Sequence, residues 1–338
     1  MTGISLLLSN PSPCLRWQVL KELKDSSEEE LEELYAIRHL DPIVQSLLKL
    51  QNNDGSFKPD TLTATTSVVQ ATSIGLVKLG FLGFDYNFPQ VMKGAEYLFS
   101  QQRSDGAWDF QEIGDEGDEQ YDMVPLQTGY PLWGLASVGL ARHINSEKAY
   151  KWLMAQQLDD GAWPVGFASG NYGYIAGYRK LPNSRQGCRV NTTCALLALS
   201  LHPTRRNNIN VQRALDVLLG RQTLDKHCMG FNIARFIGVE PSKGFFSFFA
   251  NHDLALVADL IWKIGGGMQD KRITRLVEFI KKTQGPLGLW EYSPSPLVTH
   301  WLTFSLQKSL ARIQYNEEWV GMTPDVAFQQ YKKTKKRY

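Results

Sequence analysis

The sequence predicts an all-α protein made of six helical hairpins arranged in two concentric rings. Three observations predict it: a short turn phrase that recurs five times, apolar residues at helical spacing before each copy, and an alternation of charge-poor with amphipathic segments. The clearest copy of the phrase is Gln157, Asp159, Asp160, Gly161, Ala162 and Trp163. The others are Gln51 with Asp54, Gly55 and Phe57; Gln102 with Asp105, Gly106 and Trp108; a degenerate Gln222 with Gly230 and Phe231; and Gln284 with Gly288 and Trp290.

Residues seven, four and three positions before each Gln share its helix face. Before Gln157 they are Tyr150, Leu153 and Met154, and before Gln222 they are Leu215, Leu218 and Leu219. Each helix therefore ends near its Gln, followed by an Asp-Gly turn that lets the backbone reach positive φ and then an aromatic plug. The amide is expected to bond orphan backbone groups at a neighbouring helix end while the aromatic covers the joint.

A first helix begins at Pro13, which suits a first helical turn, and its partner runs from Asp41 to Gln51. Glu28 to Glu33 between them reads as a solvated helical face. Further pairs follow at Thr63 to Leu79 with Phe88 to Gln102, Leu126 to Arg142 with Ser146 to Gln157, and Val190 to Leu201 with Ile209 to Gln222. His252 to Ile264 pairs with Asp270 to Gln284, and Leu297 to Ile313 with Thr323 to Lys332. In the middle pairs the first helix is poor in charge and the second is amphipathic, which places the first kind inside and the second outside.

Composition bounds the function. Across 338 residues, 36 Lys and Arg against 34 Asp and Glu leave a nearly neutral chain with no general pull toward nucleic acid. The repeats run through most of the length and argue for one domain, 1–338. Cys14, Cys188, Cys194 and Cys228 have no CxxC spacing, which favours a reduced, cytosolic setting. The run from Ile4 to Leu8 is too short for a secretory signal, and no stretch has the ~20 apolar residues of a spanning helix.

On its Gln, Asp-Gly and Trp turns, the chain resembles the squalene-hopene cyclase and protein prenyltransferase superfamily, and within it the short single-domain squalene-cyclase-like proteins. Pro13, Leu15, Arg16, Trp17 and Leu20 are similar to the opening of those short proteins. The resemblance implies an (α/α)6 toroid and QW-type repeats. It also implies a central cavity for an isoprenoid or similarly apolar substrate, at the mouth where inner helices begin. Those starts carry Thr65 and Thr66; Gln127, Thr128 and Tyr130; Asn191, Thr192 and Thr193; His252 and Asp253; and His300 with Trp301. Polar groups converging on an apolar pocket form a default binding-site pattern, with helix capping as the alternative for Thr and Asn.

The family's cyclases carry a DxDD motif whose middle acid protonates an alkene or epoxide, a task that suits a carboxyl held neutral by an apolar site. The matching stretch is Ala250, Asn251, His252 and Asp253, where only the last Asp remains and His252 stands in the acid's place. An imidazolium is a weak acid for an alkene, though adequate for an epoxide or enol. The zinc-dependent prenyltransferases hold metal with Asp, Cys and His. Asp253 and His300 sit at comparable places, but Ala255 replaces the Cys, and such zinc wants three protein ligands. Cys188, Cys194, His202, His227 and Cys228 have no recognised zinc spacing.

The expectation is therefore a cyclase-like protein that needs no cofactor, with Mg or Zn as the alternative. Asp253, His252 and His300 are assigned to proton transfer, and Tyr130, Trp133, Asn191, Trp301, Phe249 and Arg189 to the substrate. Tyr130, Trp133, Trp262, Trp301 and Phe304 lie on inner helices, with Phe245, Phe246, Phe248 and Phe249 before His252. Aromatic faces stabilise a carbocation by roughly 0.5 to 2 kcal/mol each; core packing is the other reading. A non-catalytic lipid- or protein-binding toroid and a zinc-dependent transferase are the alternatives.

Three segments remain. The acidic loop Gly114 to Asp122 reads as a solvated insertion or a Mg²⁺ site. The loop Gly166 to Arg189, with Arg179, Lys180, Arg185 and Arg189, reads as a lid offering cations to an anionic group. The basic tail Lys332 to Arg337 reads as a solvated end or a peripheral membrane contact.

Overall fold

The computed structural model describes residues 2–24, 27–60, 62–63, 67–108, 125–164, 181, 184, 187–220, 227–241 and 252–316, excepting the side chains of Thr2 and His252. The helices in chain order are α1 (Thr2–Leu8), α2 (Pro13–Leu23), α3 (Glu28–Ile37), α4 (Pro42–Leu48), α5 (Val68–Phe81), α6 (Pro89–Ser100) and α7 (Pro125–Ser137). They continue with α8 (Ile144–Ala155), α9 (Arg189–Ser200), α10 (Ile209–Leu219), α11 (Phe231–Phe236), α12 (Leu254–Ile264), α13 (Lys271–Lys282) and α14 (Pro296–Ile313). One small departure from an all-helical fold is a parallel pair of two-residue strands, β1 (His227–Cys228) and β2 (His252–Asp253).

The helices form an α/α toroid. Its inner ring is α2, α5, α7, α9, α12 and α14: each packs on the next from α5 to α14, and α14 packs on α2. The ring closes where the Gln18 amide of α2 donates to the Phe81 carbonyl at the end of α5 over 2.9 Å. Burial follows the charge pattern of the sequence. Every residue of α9 is buried, and α7 is buried from Pro125 to Ala136, whereas α13 buries chiefly the face of Ile273, Leu276, Val277 and Ile280.

The repeated turns are hydrogen-bonded joints with one geometry. The Nε2 of Gln102 donates to the carbonyl of Gly106 at 2.8 Å and to that of Asn145, in the first turn of α8, at 2.9 Å. Gln157 does the same toward Gly161 and Asn210, and Gln51 toward Gly55 and Gln90. The amides thus engage first-turn carbonyls of the next outer helix, at a neighbouring helix end as expected. Where an Asp precedes the Gly it caps its own turn: Asp54, Asp105 and Asp160 each accept from the backbone N–H two residues on, at 3.0 Å. Glycine is required at Gly106 twice over: φ is +94°, and a Cβ there would stand 2.8 Å from the Lys148 backbone of α8.

Each plug is fixed at both ends. The backbone N–H of Trp108, Trp163 and Trp290 donates to Thr128, Thr192 and Thr303 on inner helices, and their indole N–H groups donate to the carbonyls of Leu98, Leu153 and Ile280. Phe57 uses Thr72 in the same way through its backbone. Thr128 and Thr192 therefore belong to the joints. Replacing the fully buried Trp163 with Ala is expected to cost about 3 to 5 kcal/mol, and thermal melting followed by circular dichroism should register a fall of several degrees.

The helix expected at Thr323 to Lys332 lies outside the described residues. Among the described elements, α1 stands beside the fifth joint. Gly55, Gly106 and Gly161 pack on α6, α8 and α10, and Gly288 packs on Gly3 of α1. α1 also packs on α14.

Candidate functional site

A cavity of about 260 Å³ occupies the centre of the inner ring, toward the C-terminal ends of its helices. All six inner helices contribute, through residues such as Gln18, Val77, Trp133, Leu197, Leu256 and Phe304, and α11 adds Asn232, Ile233 and Phe236. The segments that lead into most inner-helix starts lie outside the described residues; among the described residues those starts carry joints and caps.

Aromatic rings form the walls in a connected series. Tyr130 meets Trp133 edge-on at 5.9 Å, Trp133 meets Phe236 at 6.0 Å, Phe236 lies 5.0 Å from Phe81, and Phe81 lies 5.1 Å from Trp301. Trp133, Phe236 and Phe81 face the cavity, with Trp262 and Phe304 on the opposite wall. These rings belong to the buried core or pack against it, and also line one common space.

The rim is charged. Asp259 accepts from Lys263 Nζ at 2.6 Å and from the Trp262 indole N–H at 3.1 Å. Lys308 stands 5.7 Å from the Phe304 ring and 3.8 Å from Glu22, and its ammonium is pushed below its ordinary range, first by burial. Arg312 lies over the Trp262 ring at 4.4 Å. Asp259 and Lys263 went unread in the sequence, although an i, i+4 ion pair on an otherwise apolar inner helix was the available signal.

Of the residues assigned from sequence, Trp133 lines this cavity, and Tyr130 and Trp301 stand behind it in the aromatic series. Asp253, His300, Asn191 and Arg189 do not line it. Asp253 is fully buried and caps two helices at once: Oδ1 accepts from Ala255 N at 3.0 Å and Gly230 N at 3.1 Å, and Oδ2 from Asn232 N at 2.8 Å. It thereby pins the degenerate fourth turn, where Gly230 has φ +86°, as the inner-helix threonines pin the other four. Burial raises its pKa above the usual carboxylate range, against the lowering effect of those backbone donors.

His300 is half-buried, with Nδ1 2.7 Å from Asn10 Nδ2, and desolvation lowers its pKa. Asn191 donates to the Pro164 carbonyl at 2.6 Å, and Arg189 is a buried first-turn residue of α9. Phe245, Phe246, Phe248, Phe249, Asn251, Thr65, Thr66, the acidic loop from Gly114 and the cationic loop residues Arg179, Lys180 and Arg185 lie outside the described residues, as do the His252 side chain and the basic tail. Of the other candidate metal ligands, His202 pairs with Glu147 at 2.8 Å, and Cys188 and Cys194 are buried. Among the described residues no group of three or more His, Cys, Asp or Glu is placed to hold a metal ion. Nor is any of their helices long and apolar enough to cross a membrane.

Comparison with known proteins bears on what such a ring is. No protein-family profile matches the chain. It is 28% identical over 131 residues to the squalene–hopene cyclase of Zymomonas mobilis subsp. mobilis, covering 38% of this chain and 20% of that one. It is 30% identical over 127 residues to the squalene–hopene cyclase of Bradyrhizobium diazoefficiens, covering 32% and 19%. Over those stretches the chain resembles squalene–hopene cyclases. It spans only about a fifth of the length of those curated relatives. Among solved structures it is similar to the type II terpene cyclase MstE from Scytonema in complex with merosterolic acid A, at 15% identity and a TM-score of 0.36 over 80% of this chain and 95% of that one. A protein from Actinoplanes is similar at 13% identity and a TM-score of 0.32, over 83% and 99%.

Proposed function

We propose that this squalene-cyclase-like toroid binds an isoprenoid or similarly apolar chain in its central cavity, with any anionic end of the ligand at the Lys263 and Lys308 rim. The observation that carries the reading is the aromatic wall of Phe81, Trp133, Phe236, Trp262 and Phe304 around one chamber. Concave, mostly apolar sites with a few placed polar groups are what such ligands need. The relatives' names, squalene–hopene cyclases, agree with an apolar polyene as the ligand class.

Binding is better supported than protonation. Asp259, the carboxyl that lines the chamber, is ion-paired to Lys263, and both oxygens of Asp253 accept backbone N–H groups. Acid-initiated cyclisation or isomerisation through Asp253, with His252 and His300 nearby, is the second reading. The burial that raises the Asp253 pKa favours it, since a carboxyl kept neutral is able to donate a proton. A soluble, cytosolic setting with peripheral membrane access to the ligand fits either reading.

Trp133 and Trp262 make binding directly observable. Titration with farnesyl and geranylgeranyl diphosphates and with farnesol is expected to change tryptophan fluorescence saturably, with Trp133→Ala weakening all three at least about tenfold. Lys308→Ala should weaken the diphosphates and spare farnesol. No saturable signal with any isoprenoid would overturn the binding reading. Cyclised product from geranylgeranyl or squalene-type substrates, lost in Asp253→Asn while binding persists, would establish the second.

A further inference from the structure

Outside the ring centre, a second cavity of about 220 Å³ lies among α4, α5 and α11. Leu47, Leu62, Phe236 and Ile237 give it apolar walls, and the exposed Pro42 and Ser46 of α4 mark its mouth. Lys78 is among the residues that line this cavity. Lys78 is 2% exposed, and its Nζ has no hydrogen-bond partner among the described residues.

A buried amine beside an apolar cavity is a costly arrangement for structure alone, since a lysine that caps a helix or covers a surface keeps its nitrogen in water or on a partner. Here it is the single charged residue of α5, on a turn where Leu76, Val77 and Leu79 are equally buried. Its surroundings act on its protonation. Burial lowers its pKa from 10.5 to about 7, the nearby Arg235 guanidinium lowers it further, and Asp60 opposes both. Such an amine carries a free lone pair at neutral pH far more often than an ordinary lysine, which is almost wholly protonated there.

We propose that Lys78 is a carbonyl-binding residue, whose Nζ condenses with an apolar aldehyde or ketone in the α4–α5–α11 cavity. The amine lone pair forms a bond to the carbonyl carbon, giving a carbinolamine. Loss of the hydroxyl as water, with both amine protons leaving the nitrogen overall, then yields the imine. No oxidant or reductant takes part. The walls select an apolar carbonyl compound, and the enclosed position limits the water that would hydrolyse the product.

The test is reductive trapping. The full chain is incubated with hexanal at pH 7, treated with cyanoborohydride, digested and mapped by mass spectrometry. Lys78 is expected to be alkylated at least about tenfold faster than any other lysine, with a rate that rises to half its maximum near pH 7. Lys78→Arg and Lys78→Met should lose that fast adduct while retaining the near-UV circular dichroism of the parent. Alkylation spread evenly over surface lysines, a fast adduct that survives in Lys78→Met, or one that excess hexanoate fails to slow by blocking the cavity, would overturn the proposal.

Discussion

Replacing Asp253 with alanine is expected to lower the unfolding free energy by at least about 3 kcal/mol, with or without ligand. The substitution would leave the N–H groups of Gly230, Asn232 and Ala255 without their acceptor. Each buried donor left unsatisfied costs roughly 1 to 3 kcal/mol, and the loss of a helix N-cap contributes within the same range. Chemical denaturation of the purified variant measures the loss. A change under about 1 kcal/mol would show that water reaches these groups, and that the carboxyl is freer than its contacts imply. The result also bears on activity, because a variant at this position that lacks product is informative only if its stability and binding are measured beside it.

Replacing Lys78 with methionine should do the opposite and stabilise the protein, by roughly 4 kcal/mol near pH 7. The sign follows from proton counting. The folded state binds Lys78's proton only below about pH 7, while the unfolded chain holds it up to about 10.5. Between these values the unfolded state carries more protons, so the parent's stability rises with pH by about 1.4 kcal/mol per unit on this account. Buried Tyr130, Tyr150 and Cys194, all with raised pKa values, push the other way at alkaline pH. The informative quantity is therefore the difference between parent and Lys78→Met, which should shrink steadily from pH 7.5 to pH 9.5. A difference that stays constant would mean that the amine is paired or solvated. A gain in stability on removing a side chain is also the usual mark of a residue kept for function.

The joints were legible in the sequence because their determinants are local. The Gln, the positive-φ Gly and the aromatic lie within about seven residues, and the helical spacing before them is equally short-range. The inner and outer rings were legible for the same reason, since α9 and α13 differ in charge along their own lengths. The location of the chamber was not. Trp133, Phe236 and Phe81 come from three separated elements, and no spacing within any one of them shows that the fold brings their rings together. α11 was missed because six residues fall below the length at which periodicity can be recognised. Asp253 was read through the family's motif as an acid, while its tie to Gly230 and Asn232 spans more than twenty residues and only the fold brings it about. Lys78 offered a usable signal, a single charge on a helix apolar all round.

The ring's closure has a consequence for the order of folding. Gly3 packs on Gly288, and Asn10 bonds His300 across 290 residues of chain. Contacts so far apart in sequence are slow to form, so the seam between α1, α2 and α14 should be made after the hairpins on either side of it.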